Sequence, residues 1–213
     1  MFAVILGGGL FGKRMIELFM EKGWKVSVIE RDPVLAEKIV DEYGISVIQG
    51  DGTDPYILEQ AGIEKADVFI ASTSKEDANT LAAIIAKEYN VPKIIVRISK
   101  SSYVRFLEKI DIGYVIVPEE IAANYVFDHV FHPDIKRVVE ITDDSNLVIL
   151  KITKDINVIG KKLSEVRGDE FKSISLVKKD GRILTDKKSL IEEGDVLIII
   201  SFMKPEKLLK KLT

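Results

Sequence analysis

No cysteine occurs in the 213 residues of this chain, which excludes disulfides, thiolate metal centres and cysteine nucleophiles together. Histidine is nearly as scarce, with only His129 and His132 present. Apolar runs are short: stretches such as Val196 to Ile200 fall far below the length needed to span a bilayer. The first apolar segment has neither the charged start nor the cleavage site of a secretory signal. These absences predict a cytoplasmic protein with no direct membrane insertion, so that any membrane role runs through a partner. Excess charge of one sign is missing too. Thirty-one Lys and Arg against 34 Asp and Glu leave a net charge of −3, with nothing of the basic bias of a nucleic-acid binder. What remains is 46% apolar and 31% charged residues, an ordinary globular composition, in a chain long enough for one large domain or two small ones. Abundant Lys and Glu with few Gln hint at a thermophilic source.

The most informative segment comes first. An apolar strand, Phe2 to Leu6, runs into Gly7-Gly8-Gly9-Leu10-Phe11-Gly12 and then into a helical pattern. This is G-x-G-x-x-G between a strand and a helix, the context in which the motif has a physical meaning. Gly7 allows the tight turn, Gly9 lets the backbone approach a pyrophosphate, and Gly12 lets helix and strand pack closely. Free N–H groups at the helix start then face an anion. A second strand ends at Glu30, eighteen residues past Gly12, where a carboxylate takes the ribose hydroxyls of an adenine nucleotide and repels a 2′-phosphate. Arg31 is the one neighbour that favours NADP, and a solvated surface arginine is the favoured reading of it. Nucleotide binding follows.

Up to about Pro133 strands and helices alternate with short connections, and the strands are continuously apolar, as in a parallel sheet covered on both faces. Expected strands are Phe2–Leu6, Lys25–Ile29, Ser46–Gln49, Val68–Ala71, Ile94–Ile98 and Tyr114–Val117. Asp54-Pro55 reads as a helix cap followed by proline at the first helical position, and Ser74 with Asp77 as a capping box. The fold class is α/β, a Rossmann-like doubly wound sheet, over residues 1–133. Residues 134–213 change texture and predict a second, small α+β domain. Its expected strands are Val138–Ile141, Leu147–Ile152, Ser173–Val177, Arg182–Leu184 and Val196–Ser201. Polar turns at Asp143-Asp144-Ser145-Asn146, Asp180-Gly181 and Glu192-Glu193-Gly194-Asp195 separate them, and one helix is expected near Val158–Val166. Between the domains, residues 118–132 predict a helix with more apolar surface than a single stripe requires. It is either buried in its own domain or packed on a second copy of the chain; its position between domains favours the second.

Loops at the carboxyl ends of strands are where open α/β sheets bind ligands. Asp51, Gly52 and Thr53 follow the third strand and flank an adenine. Ser72 and Thr73 follow the fourth, with hydroxyl and N–H groups for phosphate or ribose. Arg97, a charge near the end of an apolar strand, needs a partner; a phosphate is favoured over a structural carboxylate. Lys13 and Arg14 sit near a helix N-terminus, where the macrodipole disfavours cations; bound polyphosphate and solvent exposure are equal explanations. Catalytic sets are hard to assemble. Tyr89 and Lys93 have the spacing of short-chain dehydrogenases, but Pro92 ends the helix between them. Ser72 and Lys75 match a nucleophile motif only formally. His129 and His132 lack a third ligand, and Glu119 with Glu120 suits a helix start without further function.

With these residues in view, the chain resembles the regulatory subunits of Trk/Ktr potassium-uptake systems, the RCK proteins (regulators of potassium conductance). The likeness runs through Val4-Ile5-Leu6-Gly7-Gly8-Gly9-Leu10-Phe11-Gly12, Val28-Ile29-Glu30-Arg31-Asp32, Gly50-Asp51-Gly52-Thr53, Leu58 through Val68, Asn79-Thr80-Leu81, Arg97 and Val117-Pro118-Glu119. In the second domain it includes Val158-Ile159-Gly160-Lys161-Lys162-Leu163 and Ile191-Glu192-Glu193-Gly194-Asp195-Val196-Leu197. The resemblance implies a non-catalytic switch. It implies an adenine nucleotide (NAD(H), ATP, ADP or AMP) at the glycine loop and a homodimer formed through the helix after the sixth strand. It further implies assembly of dimers into a ring under an integral-membrane potassium channel or transporter, and an activating cation at Glu119. Two departures stand out. Glu30 replaces the aspartate of many relatives. Leu10 stands where some ATP-binding relatives place arginine, so either Lys13 or Arg14 substitutes or the ligand has fewer phosphates, such as AMP, or is NAD. The alternative from another class is an NAD-dependent oxidoreductase with a small substrate domain.

Overall fold

A computed structural model describes residues 1–100, 103–142 and 144–213. The chain divides into two compact units, Met1–Ala122 and Ala123–Thr213. In the first, strands and helices alternate: β1 (Phe2–Leu6), α1 (Leu10–Glu21), β2 (Lys25–Glu30), α2 (Pro33–Tyr43), β3 (Ser46–Gln49), α3 (Pro55–Gln60), β4 (Val68–Ala71), α4 (Glu76–Glu88), β5 (Ile94–Arg97), α5 (Val104–Lys109) and β6 (Tyr114–Ile116). The six strands form one sheet in the order β3-β2-β1-β4-β5-β6, with every pairing parallel.

The continuous apolar runs of these strands arise from alternation between two cores. Successive side chains of a strand point to opposite faces. Ala3 and Ile5 of β1 therefore join Val68 and Ile70 of β4 on the face covered by Ile16 of α1 and Ile39 of α2. Val4, Leu6, Phe69 and Ala71 join Leu58 of α3, Ala82 and Ala86 of α4 and Leu107 of α5 on the other. Small alanines on α4 let that helix lie close to the sheet. Helix starts follow local chemistry: Asp32 accepts hydrogen bonds from the N–H groups of Val34 and Leu35 (2.8 and 3.3 Å) ahead of Pro33, and Asp54 accepts from Tyr56 (2.9 Å) ahead of Pro55. The capping box expected from Ser74 and Asp77 does not form. Helix α4 begins one residue later, after Lys75, and no side chain caps it. The hydroxyl of Thr73 takes the N–H of Lys75 instead (3.1 Å).

Helix α6 (Pro118–Phe131) spans the division between the units. Ile121, Tyr125, Val126, Phe127, Val130 and Phe131 are all more than half exposed on it, so burial within its own domain is not the explanation of its apolar surface.

The second unit is a mainly antiparallel sheet of β7 (Ile135–Thr142), β8 (Ser145–Lys151), β9 (Arg167–Gly168), β10 (Phe171–Val177), β11 (Ile183–Leu184) and β12 (Val196–Ser201) in the order β11-β10-β12-β8-β7, with β9 beside β10. Helix α7 (Pro205–Leu212) buries Leu208 and Leu212 on its core. The turn at Asp180-Gly181 joins β10 and β11, Gly181 having φ +86°. Of the turn before β8, Asp143 lies outside the described residues. The helix expected over Val158–Val166 is not there. Gly160 adopts a left-handed conformation, φ +79°, and its N–H donates to Ile191 while Lys161 accepts from Ile191. Only Leu163–Glu165 forms a single 3₁₀ turn. The apolar spacing of Val158, Leu163 and Val166 is real, since all three are buried, but a hydrogen-bonded loop delivers it.

One charged cluster lies inside this unit. Asp195 is 1% exposed and accepts from Lys178 Nζ (2.8 Å) and from the Glu192 N–H (2.9 Å). Removing the cation leaves a buried carboxylate uncompensated, which is costly. Lys178→Met should therefore lower stability by about 3 kcal/mol, read by urea unfolding followed with circular dichroism.

Candidate functional site

The sheet order reverses between β1 and β4: the first three strands proceed outwards from β1, and the next three start again on its other side. At such a point the loops diverge and leave a crevice at the carboxyl ends of the strands. A cavity of about 850 Å³ occupies it. The loop floor is tied together at once, because Ser72 directs both its N–H and its hydroxyl to the carbonyl of Leu6 (2.9 and 3.0 Å).

The three glycines of the motif meet three different demands. Gly7 has φ +98°, a left-handed backbone that disfavours a side chain. A Cβ on Gly12 would sit 1.9 Å from the Gly7 carbonyl oxygen, so close contact of α1 with its own loop requires glycine there. A Cβ on Gly9 would meet nothing within 4 Å. Gly9 is thus the glycine whose missing side chain leaves open space over the helix start. It is also the N-cap of α1, and no side chain caps that end. The N–H groups of the first turn, Leu10 and Phe11 among them, have no partner within the helix. These features fit an anionic group.

Glu30 closes the opposite side. Its carboxylate accepts from the Gly8 N–H (2.7 Å) and the Asp32 N–H (2.9 Å), which fixes it between the glycine loop and the start of α2. Each oxygen keeps a lone pair for a further donor. After β3, Asp51 accepts from the N–H and the hydroxyl of Thr53 (3.0 and 2.8 Å). Those bonds, the backbone one foremost, hold its carboxyl below the usual aspartate range.

The remaining wall depends on Asn79, which is 1% exposed. Its Oδ1 accepts from the N–H and the hydroxyl of Thr73 (2.9 and 2.7 Å). Its Nδ2 donates to the carbonyls of Thr73 and Arg97 (both 2.9 Å). The fixed polarity of those backbone groups sets the orientation of the amide. The loops after β4 and β5 are thereby joined.

Arg97 emerges from this clasp at the cavity wall. The expectation favouring a phosphate partner meets a carboxylate here: Nη2 donates to Glu119 Oε1 at 2.5 Å. The bond to Arg97 holds the Glu119 carboxyl below the ordinary glutamate value. The guanidinium Nε is buried without a partner.

Gly7, Gly9, Leu10, Phe11, Glu30, Arg31, Asp51, Gly52, Thr53, Ser72, Thr73 and Arg97 all line the cavity. Gly12 does not; it is buried in the packing of α1. Lys13 and Arg14 also stay outside the lining. Lys13 pairs with Glu42, and Arg14 with Glu17 (2.6 Å); Leu10 is 93% exposed at the mouth. Tyr89 donates to Glu59 past the end of α4. Among the described residues no group of three or more His, Asp or Glu gathers as a metal site, and no helix is long and apolar enough to cross a membrane. Sequence reasoning missed two features. Asn79 stands only within a stretch of family likeness, with nothing to mark it as a clasp, and Lys75 only in a formal spacing with Ser72, although it lines the cavity.

A parallel sheet with a glycine loop, a facing acidic residue and a crevice at its reversal point defines a domain of the Rossmann kind, here followed by an antiparallel module. The chain belongs to the TrkA-N domain family, which matches residues 3–118. It is 31% identical over 202 residues to a Trk system potassium uptake protein TrkA homolog of Methanothermobacter thermautotrophicus, covering 94% of this chain and 93% of the relative. A protein of the same name from Pyrococcus horikoshii is 33% identical over 205 residues, with 93% and 87% covered. Among solved structures, one described as the GsuK channel bound to NAD superposes with a TM-score of 0.69 at 16% identity, over 99% of this chain and 39% of that one. The Shewanella denitrificans Kef CTD in AMP-bound form gives 0.53 at 20% identity, over 61% and 80%. At these identities the structural likeness is one of fold.

Asn79→Ala would strand the Thr73 N–H and two carbonyls. A loss of about 3 kcal/mol is expected in the first unit, followed by fluorescence of Trp24, the only tryptophan. A loss under about 1 kcal/mol would show that the loops hold without the clasp.

Proposed function

We propose that this chain is a nucleotide-binding regulatory subunit of a potassium-uptake system, switching a membrane potassium channel or transporter according to the adenine nucleotide it holds. The observation that carries the reading is the open backbone at Gly9. Uncapped N–H groups at the start of α1 face a cavity whose far side presents the fixed carboxylate of Glu30. That pairing of an anion site with a ribose acceptor suits an adenine nucleotide (NAD(H), ATP, ADP or AMP). The names of the relatives, matched over nearly their whole length, support the potassium-uptake part.

In this reading residues 1–133 are the sensing domain, residues 134–213 the accessory module, and the exposed apolar residues of α6 the contact of a homodimer that builds a larger ring. Monomers rarely leave such a surface in water. The protein then sits in the cytoplasm, at the inner face of the membrane through its partner. A cation at Glu119 would compete with Arg97 for the carboxylate, so it requires that ion pair to open.

The test separates fold from ligand. Gly9 has φ outside the left-handed region and nothing near its absent Cβ, so Gly9→Ala should leave the melting temperature unchanged. Calorimetric titration of AMP, ADP, ATP, NAD and NADH should show at least one ligand binding to the wild type, and its affinity falling at least about tenfold in Gly9→Ala. Equal affinities in both proteins would remove the glycine loop from the site.

A further inference from the structure

We propose that the Arg97–Glu119 ion pair is a latch that the ligand opens: a phosphate of the bound nucleotide takes the guanidinium from Glu119 and releases the first turn of α6. This rests on the nucleotide reading above and adds the regulation of that site.

Arg97 faces two ways. It lines the cavity along with Pro118, the first residue of α6, and it holds Glu119 one residue further on. Only one of its five N–H groups is matched by Glu119, and its Nε is orphaned. A guanidinium so poorly satisfied has donors to spare for a phosphate, which takes two in parallel and carries more charge than a carboxylate. Glu119 gives way easily. It is 56% exposed, and its side chain makes no other ion pair among the described residues; an exposed pair contributes little net stability, and the released carboxylate finds water.

What moves is decided by what is held. The backbone of Arg97 cannot follow the ligand, because its carbonyl is fixed by Asn79 and β5 is paired on both sides. Glu119 sits in the first turn of α6, where the N–H groups of Glu120 and Ile121 both donate to the carbonyl of Val117 (3.1 and 3.2 Å). Exchange at Arg97 therefore loosens the start of α6. That helix carries the exposed apolar surface, so a change at the phosphates alters the element best placed to report it. The ligand acts through its differing affinity for the latched and released states.

Linkage gives the test. If phosphate and Glu119 compete for Arg97, removing the carboxylate must strengthen phosphate binding by the factor the latch had cost. Glu119→Gln should raise the ratio of ADP to adenosine affinity severalfold, up to about fivefold, measured by calorimetry in EDTA. In hydrogen exchange, the amides of residues 119–122 should lose protection when ADP binds the wild type, and should lack it in the variant without ligand. An unchanged or lower ADP-to-adenosine ratio overturns the latch. So does a loss of ADP affinity seen only with magnesium present, which would assign Glu119 to a cation. Failure of wild-type protein to bind ADP or adenosine overturns the nucleotide reading itself, and so stands apart from failure of the latch alone.

Discussion

Asn79 occupies its position because a parallel sheet ends in loops that pair with nothing. The carbonyl of Arg97 and both backbone groups of Thr73 would otherwise lie in a poorly hydrated floor, where an unmatched polar group is costly. One buried amide satisfies all three and also takes the Thr73 hydroxyl. Thr73 packs against Gly7 closely enough that a Cβ there would come within 3.0 Å of its N–H nitrogen. The glycine loop, the β4 loop and the backbone at Arg97 are thus joined through a single side chain of α4. A fully bonded buried amide tolerates little displacement, so the cavity walls behave as one piece.

Against that rigid floor, the polar groups facing the cavity are held in place yet incompletely used. Glu30 is gripped by two backbone N–H groups and still has acceptor capacity. The first turn of α1 has donors and no cap. Arg97 has one ion pair and an orphaned Nε. Preorganised groups with residual bonding capacity suit a ligand that must be bound tightly and released. Lys13 and Arg14 lie outside the cavity lining and pair with Glu42 and Glu17. Arg31, Lys75 and Arg97 line the cavity, together with the exposed Leu10.

Thr73, Asn79, Arg97 and Glu119 form a contiguous hydrogen-bonded chain whose last member belongs to α6 and is 56% exposed. In the proposed latch, a phosphate on Arg97 acts on α6 through that last bond.

Much of this was legible in the residues alone. Continuous apolar strands, Asp-Pro helix starts and the glycine motif followed by Glu30 are local signals, and local signals determined the parallel sheet, its crevice and most of the lining. The antiparallel module was legible through Asp180-Gly181 and its alternating strands. Reasoning failed where one pattern serves two backbones or where a partner is distant in sequence. Val158, Leu163 and Val166 have helical spacing, but Gly160 in a left-handed conformation and pairing with Ile191 made a loop of them. The Ser74 cap did not form because α4 begins one residue later, with Lys75 at its N-cap and its N–H held by Thr73. Asn79 looks like any polar helix residue until the ends of β4 and β5 converge on it. Arg97 announced that it needed an anion, and only the return of the chain at Pro118 decided that Glu119 supplies one. Local chemistry chose the elements; long-range convergence chose which groups would face one another in the cavity.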